Sequence, residues 1–257
     1  MLKCNNIILF FFISASIIFP QNIHSSFNIS LNDLAEGLDS DYTIIAGKEV
    51  QFLDLVKNIL SEDVDLQLVD KQHRLDTDFI PHDIINLSDY PLHTRYKTMP
   101  FSKSTLKNFI KMSNTAKEKD VDLFIASTYR SYEFQDKIFT NMKNYHGEEK
   151  AATIVAYPGA SQHQLGTAVD FGTITPGYAN TDAGEWLLEH SWKYGFTLSY
   201  PKDMEHITSY MWEPWHYRYI GIYGAIVQRD FFSDSQHNFL LFWNKHKLLF
   251  INNLKYY

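Results

Sequence analysis

Cysteine is almost missing from this chain. Among 257 residues there is one, Cys4. It precedes the apolar N-terminal run, whereas a lipid-attached cysteine would follow it. No disulfide framework can form, and no thiolate is available to hold a metal in the rest of the chain. A basic excess is missing too. Lys and Arg number 23 against 30 Asp and Glu, a formal net charge of −7, so the cationic footprint of a nucleic-acid binder is absent. There is no internal repeat and no low-complexity tract, which excludes solenoids and compositionally biased linkers. No apolar run reaches the roughly 18 residues of a comfortable membrane span.

What remains is globular. The chain is 45% hydrophobic and 21% charged, values that suit one domain with a short extension. Aromatics reach 16% and read as core packing. At the N-terminus, Lys3 precedes a run from Ile7 to Phe19 that is apolar apart from Ser14 and Ser16, and Pro20 ends it. Such a run suits the apolar centre of a signal peptide. No clear small-x-small cleavage site follows, so an uncleaved anchor is the alternative. Export to the periplasm or cell envelope is the expected localisation.

Periodicity predicts helices over Glu49–Leu60 (Phe52, Leu53, Val56 and Leu60 on one face), Ser104–Lys119 and Ser131–Asn144, with a weaker one in Gly147–Ala156. A further helix is capped by Thr181 or Asp182 and ends at Gly195. Short strands are predicted over Asp122–Ser127, Thr167–Gly172 and Phe196–Pro201, and a strand edge or tight turn over Met211–Tyr219. Val69–Pro100 reads as loop, and the C-terminal segment as helix. Helices and short strands alternate without a regular βαβ rhythm, which favours an α+β fold with a small, mostly antiparallel sheet. The expected division is 1–25 signal or anchor, 26–68 extension, 69–230 the main domain, and 231–257 a helical tail.

Two clusters carry chemistry. Ser161-Gln-His163-Gln-Leu-Gly166-Thr-Ala-Val-Asp170 and Glu213-Pro-Trp-His216 hold two imidazoles, one carboxylate able to complete a metal shell and a second free to act as a base. Three protein ligands leave a fourth position for water, the inventory of a mononuclear zinc hydrolase. A carboxylate such as Asp170 among Ala168, Val169 and Phe171 is costly unless paired or metal-bound. An arginine partner would satisfy it as well as a metal. Glu213 and His216 are three apart, so on a flat strand they would face opposite ways. They meet only if the segment turns, as Pro214 encourages. Arg130, just past a strand, can hold a carboxylate through two parallel hydrogen bonds, or form a surface ion pair. The other histidines lack such company, although His206 stands beside Glu205.

Ser127-Thr-Tyr-Arg130-Ser with Gln135, then Ser161-x-His163-x-x-Gly166-x-Ala168-x-Asp170, then Glu213-Pro-Trp-His216-Tyr-Arg-Tyr219 resemble, in order and spacing, the three signatures of the VanY-type D-alanyl-D-alanine carboxypeptidases. That group shares a zinc family with the D-Ala-D-Ala dipeptidases and the Hedgehog-like domains. The likeness includes a weaker lead-in, Asp76-x-x-Phe79-Ile80-Pro81-x-Asp83, and runs from about Val69 to Tyr223. It implies one Zn2+ per chain on His163, Asp170 and His216, Glu213 as catalytic base, and Arg130 as clamp for a substrate carboxylate. Gln135 and Ser161 would support the pocket. It also implies an α+β fold of the Hedgehog and D-Ala-D-Ala-peptidase kind, acting as a monomer on peptidoglycan stem peptides ending in D-alanine. An L,D-carboxypeptidase, a D,D-dipeptidase, an endopeptidase or a non-catalytic zinc-containing wall-binding module are the alternatives. Three positions depart from the pattern: Thr128 where Gly is common, Ser199 where Arg is frequent, and Ser209 where Gly is frequent. None is a ligand position.

Overall fold

The computed structural model describes residues 29–254. The expected signal or anchor over 1–25 lies outside the described residues. Among the described residues, no helix is long and apolar enough to cross a membrane.

The elements in chain order are α1 (Leu31–Leu38), α2 (Glu49–Ser61), β1 (Ile84–Asn86), β2 (Pro100–Ser102), α3 (Leu106–Lys117), β3 (Ile125–Ser127), α4 (Tyr132–His146), α5 (Glu148–Ile154), β4 (Ala168–Phe171), α6 (Asp182–His190), β5 (Phe196–Leu198), α7 (Glu205–Thr208), β6 (His216–Tyr219), α8 (Ile222–Phe231) and α9 (Gln236–Leu254). Strands β3, β4, β6 and β5 form, in that spatial order, an antiparallel four-stranded sheet. This is the α+β architecture the sequence predicts.

Period-two alternation sorts the sheet into two faces. Val169, Phe171, Phe196, Tyr217 and Tyr219 share one apolar cluster with Phe109 and Met112 of α3 and Trp186 and Leu187 of α6. Phe109 stacks on Phe171 at 5.9 Å between ring centroids and meets Phe196 edge-on at 5.2 Å. Each such buried side chain contributes roughly 1.5–3 kcal/mol. The opposite face carries Ala168, Asp170, Thr197, His216 and Arg218. Its register pairs Asp170 with His216, and Arg218 with both Ala168 and Thr197. All the chemistry of the sheet therefore sits on one side.

Helices α1, α2, α8 and α9 build a second apolar core. Phe52 of α2 lies 5.2–5.9 Å from Phe231, Phe242 and Phe250. The described parts of the expected extension and tail thus pack on each other. Arg218, fully buried, donates from Nη2 to the main-chain oxygens of Asp65 at 3.0 Å and Gln67 at 2.9 Å. That bond pair ties the segment after α2 to β6.

The structure differs from the sequence expectation in detail. Val69–Pro100 is not all loop: β1 pairs antiparallel with β2. Three-residue strands of ordinary composition carry too little alternation to be read. The predicted helix from 181 to 194 ends at His190 and continues as a 3-10 turn over Ser191–Tyr194, with Gly195 left-handed at φ 82°.

Candidate active site

A 3-10 turn over Gln162–Leu165 leads through Gly166 into β4. Gly166 has φ 72°, a conformation costly for a residue with Cβ. The turn swings His163 back over Asp170. On the facing strand, the His216 N–H donates to the Glu213 main-chain oxygen at 3.1 Å, and the Glu213 N–H to the Tyr200 oxygen at 3.1 Å. This is the turn that the three-residue spacing demands. It brings Glu213 Oε2 to 3.9 Å from His216 Nδ1.

His163, Asp170 and His216 are buried, and they offer ligand atoms that all lie within 4.8 Å of one another. Asp170 Oδ1 is 2.8 Å from His216 Nδ1, and Asp170 Oδ2 is 3.2 Å from His163 Nε2. Tetrahedral ligands about 2.0–2.1 Å from zinc stand about 3.3 Å apart, so the cluster needs only small shifts to hold one ion. The hydrogen bonding points the same way. His163 Nδ1 lies 2.6 Å from the Thr128 main-chain oxygen. A carbonyl only accepts, so Nδ1 carries the proton and Nε2 presents a lone pair. That nitrogen is buried and has no hydrogen-bond partner among the described residues. A lone pair facing a carboxylate oxygen is an arrangement that a cation completes.

Electrostatics favour the ligand forms. Burial, then the Arg130 charge, pushes the His163 imidazole down to about 4, so it is neutral near pH 7. Burial acts to raise the Asp170 carboxyl, but the two histidines overcome it and hold the group well below its ordinary range. Glu213 goes the other way. Burial, reinforced by the Asp170 charge and partly offset by Arg130, holds it well above the ordinary carboxyl range. Its carboxylate accepts no hydrogen bond among the described residues. Two carboxylates in one cavity are thus driven apart in acidity, one fit to be a ligand and one to carry a proton.

Arg130 follows β3, and its Nη2 is 3.2 Å from Asp170 Oδ2. Its Nη1 donates to Gln135 Oε1 at 3.0 Å, while Gln135 Nε2 donates to the Ala156 oxygen at 2.8 Å. Arg130 Nε has no partner among the described residues. The Ser161 Oγ accepts weakly from the His163 N–H at 3.4 Å. All seven residues singled out in the sequence line one cavity of about 650 Å3. Phe134, Ile138 and Met142 of α4 and Met211 add an apolar wall. The Tyr200 ring packs 5.0 Å from His216. His206, on α7, is not among them. The sequence reading missed Gln162 and Gln236. Gln162 Oε1 is 3.1 Å from His216 Nε2, and Gln162 Nε2 donates to Gln236 Oε1 at 3.1 Å.

Comparison with known proteins agrees with this geometry. A family model described as VanY, D-alanyl-D-alanine carboxypeptidase, matches residues 99–222. YodJ of Bacillus subtilis (strain 168) is 35% identical over 190 residues, covering 71% of this chain and 68% of YodJ. The solved LdcB LD-carboxypeptidase superposes with a TM-score of 0.63 at 32% identity, covering 72% of this chain and 87% of that one. A mutant of a VanY D,D-pentapeptidase from a VanB-type resistance cassette, solved with Zn(II), gives a TM-score of 0.57 at 29% identity over 68% of this chain and 98% of that one. The chain belongs to the VanY D-alanyl-D-alanine carboxypeptidase family and is a peptidase.

Proposed function

We propose that this protein is a zinc-dependent D-alanyl-D-alanine carboxypeptidase that removes the terminal D-alanine from peptidoglycan stem peptides. One observation carries the reading. A guanidinium, a candidate metal triad and a high-pKa carboxylate open on the same cavity, with Arg130 3.2 Å from the ligand carboxylate. A fixed cation beside the hydrolytic centre suits a substrate that ends in a carboxylate, as an exopeptidase substrate must.

His163 Nε2, Asp170 and His216 Nδ1 would hold the zinc. When bound, it supplies Lewis acidity at the scissile carbonyl and brings a water's pKa toward neutrality. Glu213 takes the proton of the attacking water and returns it to the departing D-alanine amine. A raised pKa makes the carboxylate a stronger base once ionised, and the charge of a bound metal beside it would favour that ionised form. Arg130 holds the leaving residue by its carboxylate, and Gln135 keeps the guanidinium in place. Tyr200 and Trp215 shield the site from bulk water. The proposed site is complete within one chain, so a monomer suffices for this reaction. The N-terminal apolar run supports an exported enzyme of the periplasm or cell envelope.

L,D-carboxypeptidase activity is the second reading, favoured by the likeness to LdcB. Mass spectrometry of muropeptides treated with the zinc-loaded protein separates the two. Loss of one D-alanine from pentapeptides is the expected result. Trimming confined to tetrapeptides overturns it in favour of the L,D reading. Cleavage of cross-links, release of the intact dipeptide, or binding without cleavage overturns it as well.

A further inference from the structure

Behind the metal cluster lies a buried, uncharged relay that the mechanism above does not use. It starts on a main-chain carbonyl. The Thr197 oxygen, in β5, can only accept. Gln236 Nε2 stands 3.3 Å from it and 2.7 Å from Thr197 Oγ1. That end of the Gln236 amide is therefore the NH2, and its Oε1 faces inward. Gln236 Oε1 accepts from Gln162 Nε2 at 3.1 Å. The Gln162 amide is thereby fixed in turn, with Oε1 toward His216 Nε2 at 3.1 Å. Ser199 Oγ sits between the amides, 2.7 Å from Gln162 Oε1 and 3.1 Å from Gln236 Oε1. It has one proton to give to either acceptor. Gln162, Ser199, Gln236 and His216 are all buried.

The direction of these bonds has a consequence at the far end. An amide oxygen cannot donate, so His216 Nε2 must hold a proton to make its bond. A neutral imidazole has only one N–H. Nδ1 is then the lone-pair nitrogen, the atom 2.8 Å from Asp170 Oδ1. Had the Gln162 amide been reversed, its NH2 would face Nε2 and favour the opposite tautomer, with the proton on Nδ1 in the middle of the ligand cluster. A single main-chain carbonyl in β5 thus sets, through two glutamines, which nitrogen of His216 is free.

We infer that Gln236, with Gln162 and Ser199, is a positioning unit that fixes the tautomer and orientation of His216 for metal binding, and that α9 is thereby part of the metal site. Gln236 is the first residue of α9 and lies beyond the 99–222 segment that matches the family. The inference rests on the reading of His163, Asp170 and His216 as metal ligands. It gives the described C-terminal helix a role beyond packing. The relay adds no charge behind His216, where a carboxylate partner would make the imidazole a stronger donor.

The test compares wild type with Gln236→Met and Gln162→Met, which keep side-chain length and remove the amide, and with Leu240→Ala. Leu240, one turn along the same helix, is buried in the helical core and has no polar side-chain group to join the relay. Zinc affinity is measured by competition with a chromophoric chelator. The His216 side-chain N–H is followed by 15N-edited NMR of the zinc-loaded protein. Expected are a slowly exchanging Nε2–H in wild type, and about 10- to 100-fold weaker zinc binding in both glutamine variants with loss of that signal. Leu240→Ala is expected to lower the melting temperature while leaving the zinc affinity unchanged. A Gln236→Met protein with wild-type zinc affinity and an intact Nε2–H overturns the relay alone. So does equal loss of affinity in Leu240→Ala, which would make the effect one of helix docking. A wild-type protein that takes up no zinc overturns both this inference and the metal reading beneath it.

Discussion

Replacing Glu213 by glutamine should separate catalysis, metal binding and stability in a single variant. The carboxylate is 3.9 Å from His216 Nδ1, outside hydrogen-bond range, and accepts no bond among the described residues. Its loss therefore leaves the candidate ligands in place, and zinc affinity should stay within about threefold of wild type, roughly 0.6 kcal/mol. As the proposed general base it would contribute about 10²–10⁴ in rate, or roughly 3–5 kcal/mol of barrier, and kcat should fall by that factor. Stability should move the other way. In the unfolded chain the carboxyl ionises near 4.5, whereas burial and the Asp170 charge hold the folded-state pKa well above that value. As pH rises through that window the unfolded state releases a proton that the folded state keeps, so wild type loses stability and the glutamine variant does not. Metal-free Glu213→Gln should thus melt higher than metal-free wild type at pH 7, with the gap closing toward pH 4. D-alanine release from a pentapeptide, chelator competition and a melting series across pH give the three readouts. Retention of full turnover by a zinc-loaded variant would refute the base assignment, and identical melting at every pH would refute the electrostatic argument.

Arg130→Ala should cost about 10²–10³ in kcat/KM on peptides with a free terminal carboxylate and much less on the amidated peptide, since a charge-assisted contact is worth roughly 3–4 kcal/mol. Equal losses on both substrates would argue for an effect through Asp170, its 3.2 Å neighbour, and not through the substrate. Metal-free protein should also be acid-labile. His163 is pushed down to about 4 in the folded state from 6.5, so its contribution is complete above pH 6.5 and is lost as pH falls toward 4. At 1.36 kcal/mol per unit the loss reaches roughly 3 kcal/mol. Denaturant titrations in the Glu213→Gln background isolate it from the opposing glutamate, and a midpoint flat between pH 6.5 and 4 would contradict it.

The sequence made some of this legible because the relevant signals are local. His163 and Asp170 lie seven residues apart on either side of a left-handed glycine, and Glu213 and His216 lie three apart around a proline that forces a turn. Helices α2 and α3 announce themselves by one apolar face each. Strand β4 shows a carboxylate where its neighbours are Ala168, Val169 and Phe171, and the structure supplies its partners, Arg130 and the two imidazoles. Elements whose reason is distant were not legible. Strand β1 spans three residues and pairs with β2 across a long excursion. Arg218 sits in an aromatic run, and nothing local says that it will reach the main-chain oxygens of Asp65 and Gln67, about 150 residues earlier.

The same limit explains the two glutamines. A glutamine at the start of a helix is ordinary, because helix surfaces are full of them. Gln236 becomes informative only when its amide is seen inverted into the protein, 74 residues from the one it meets. What the sequence did register was Ser199, as a departure from a frequent arginine. The structure gives that departure a physical reason. The pocket around Ser199 Oγ is closed by two amides, and neither could neutralise a guanidinium buried there. A short hydroxyl satisfies both amide oxygens in turn and leaves room for Gln236 to reach Thr197. Ser199 of the loop after β5 and Gln236 of α9 thus meet in one buried hydrogen-bond cluster. A chain with arginine at 199 would need a carboxylate to neutralise it, and the orientation of His216 would then depend on an ion pair in place of a relay of amides.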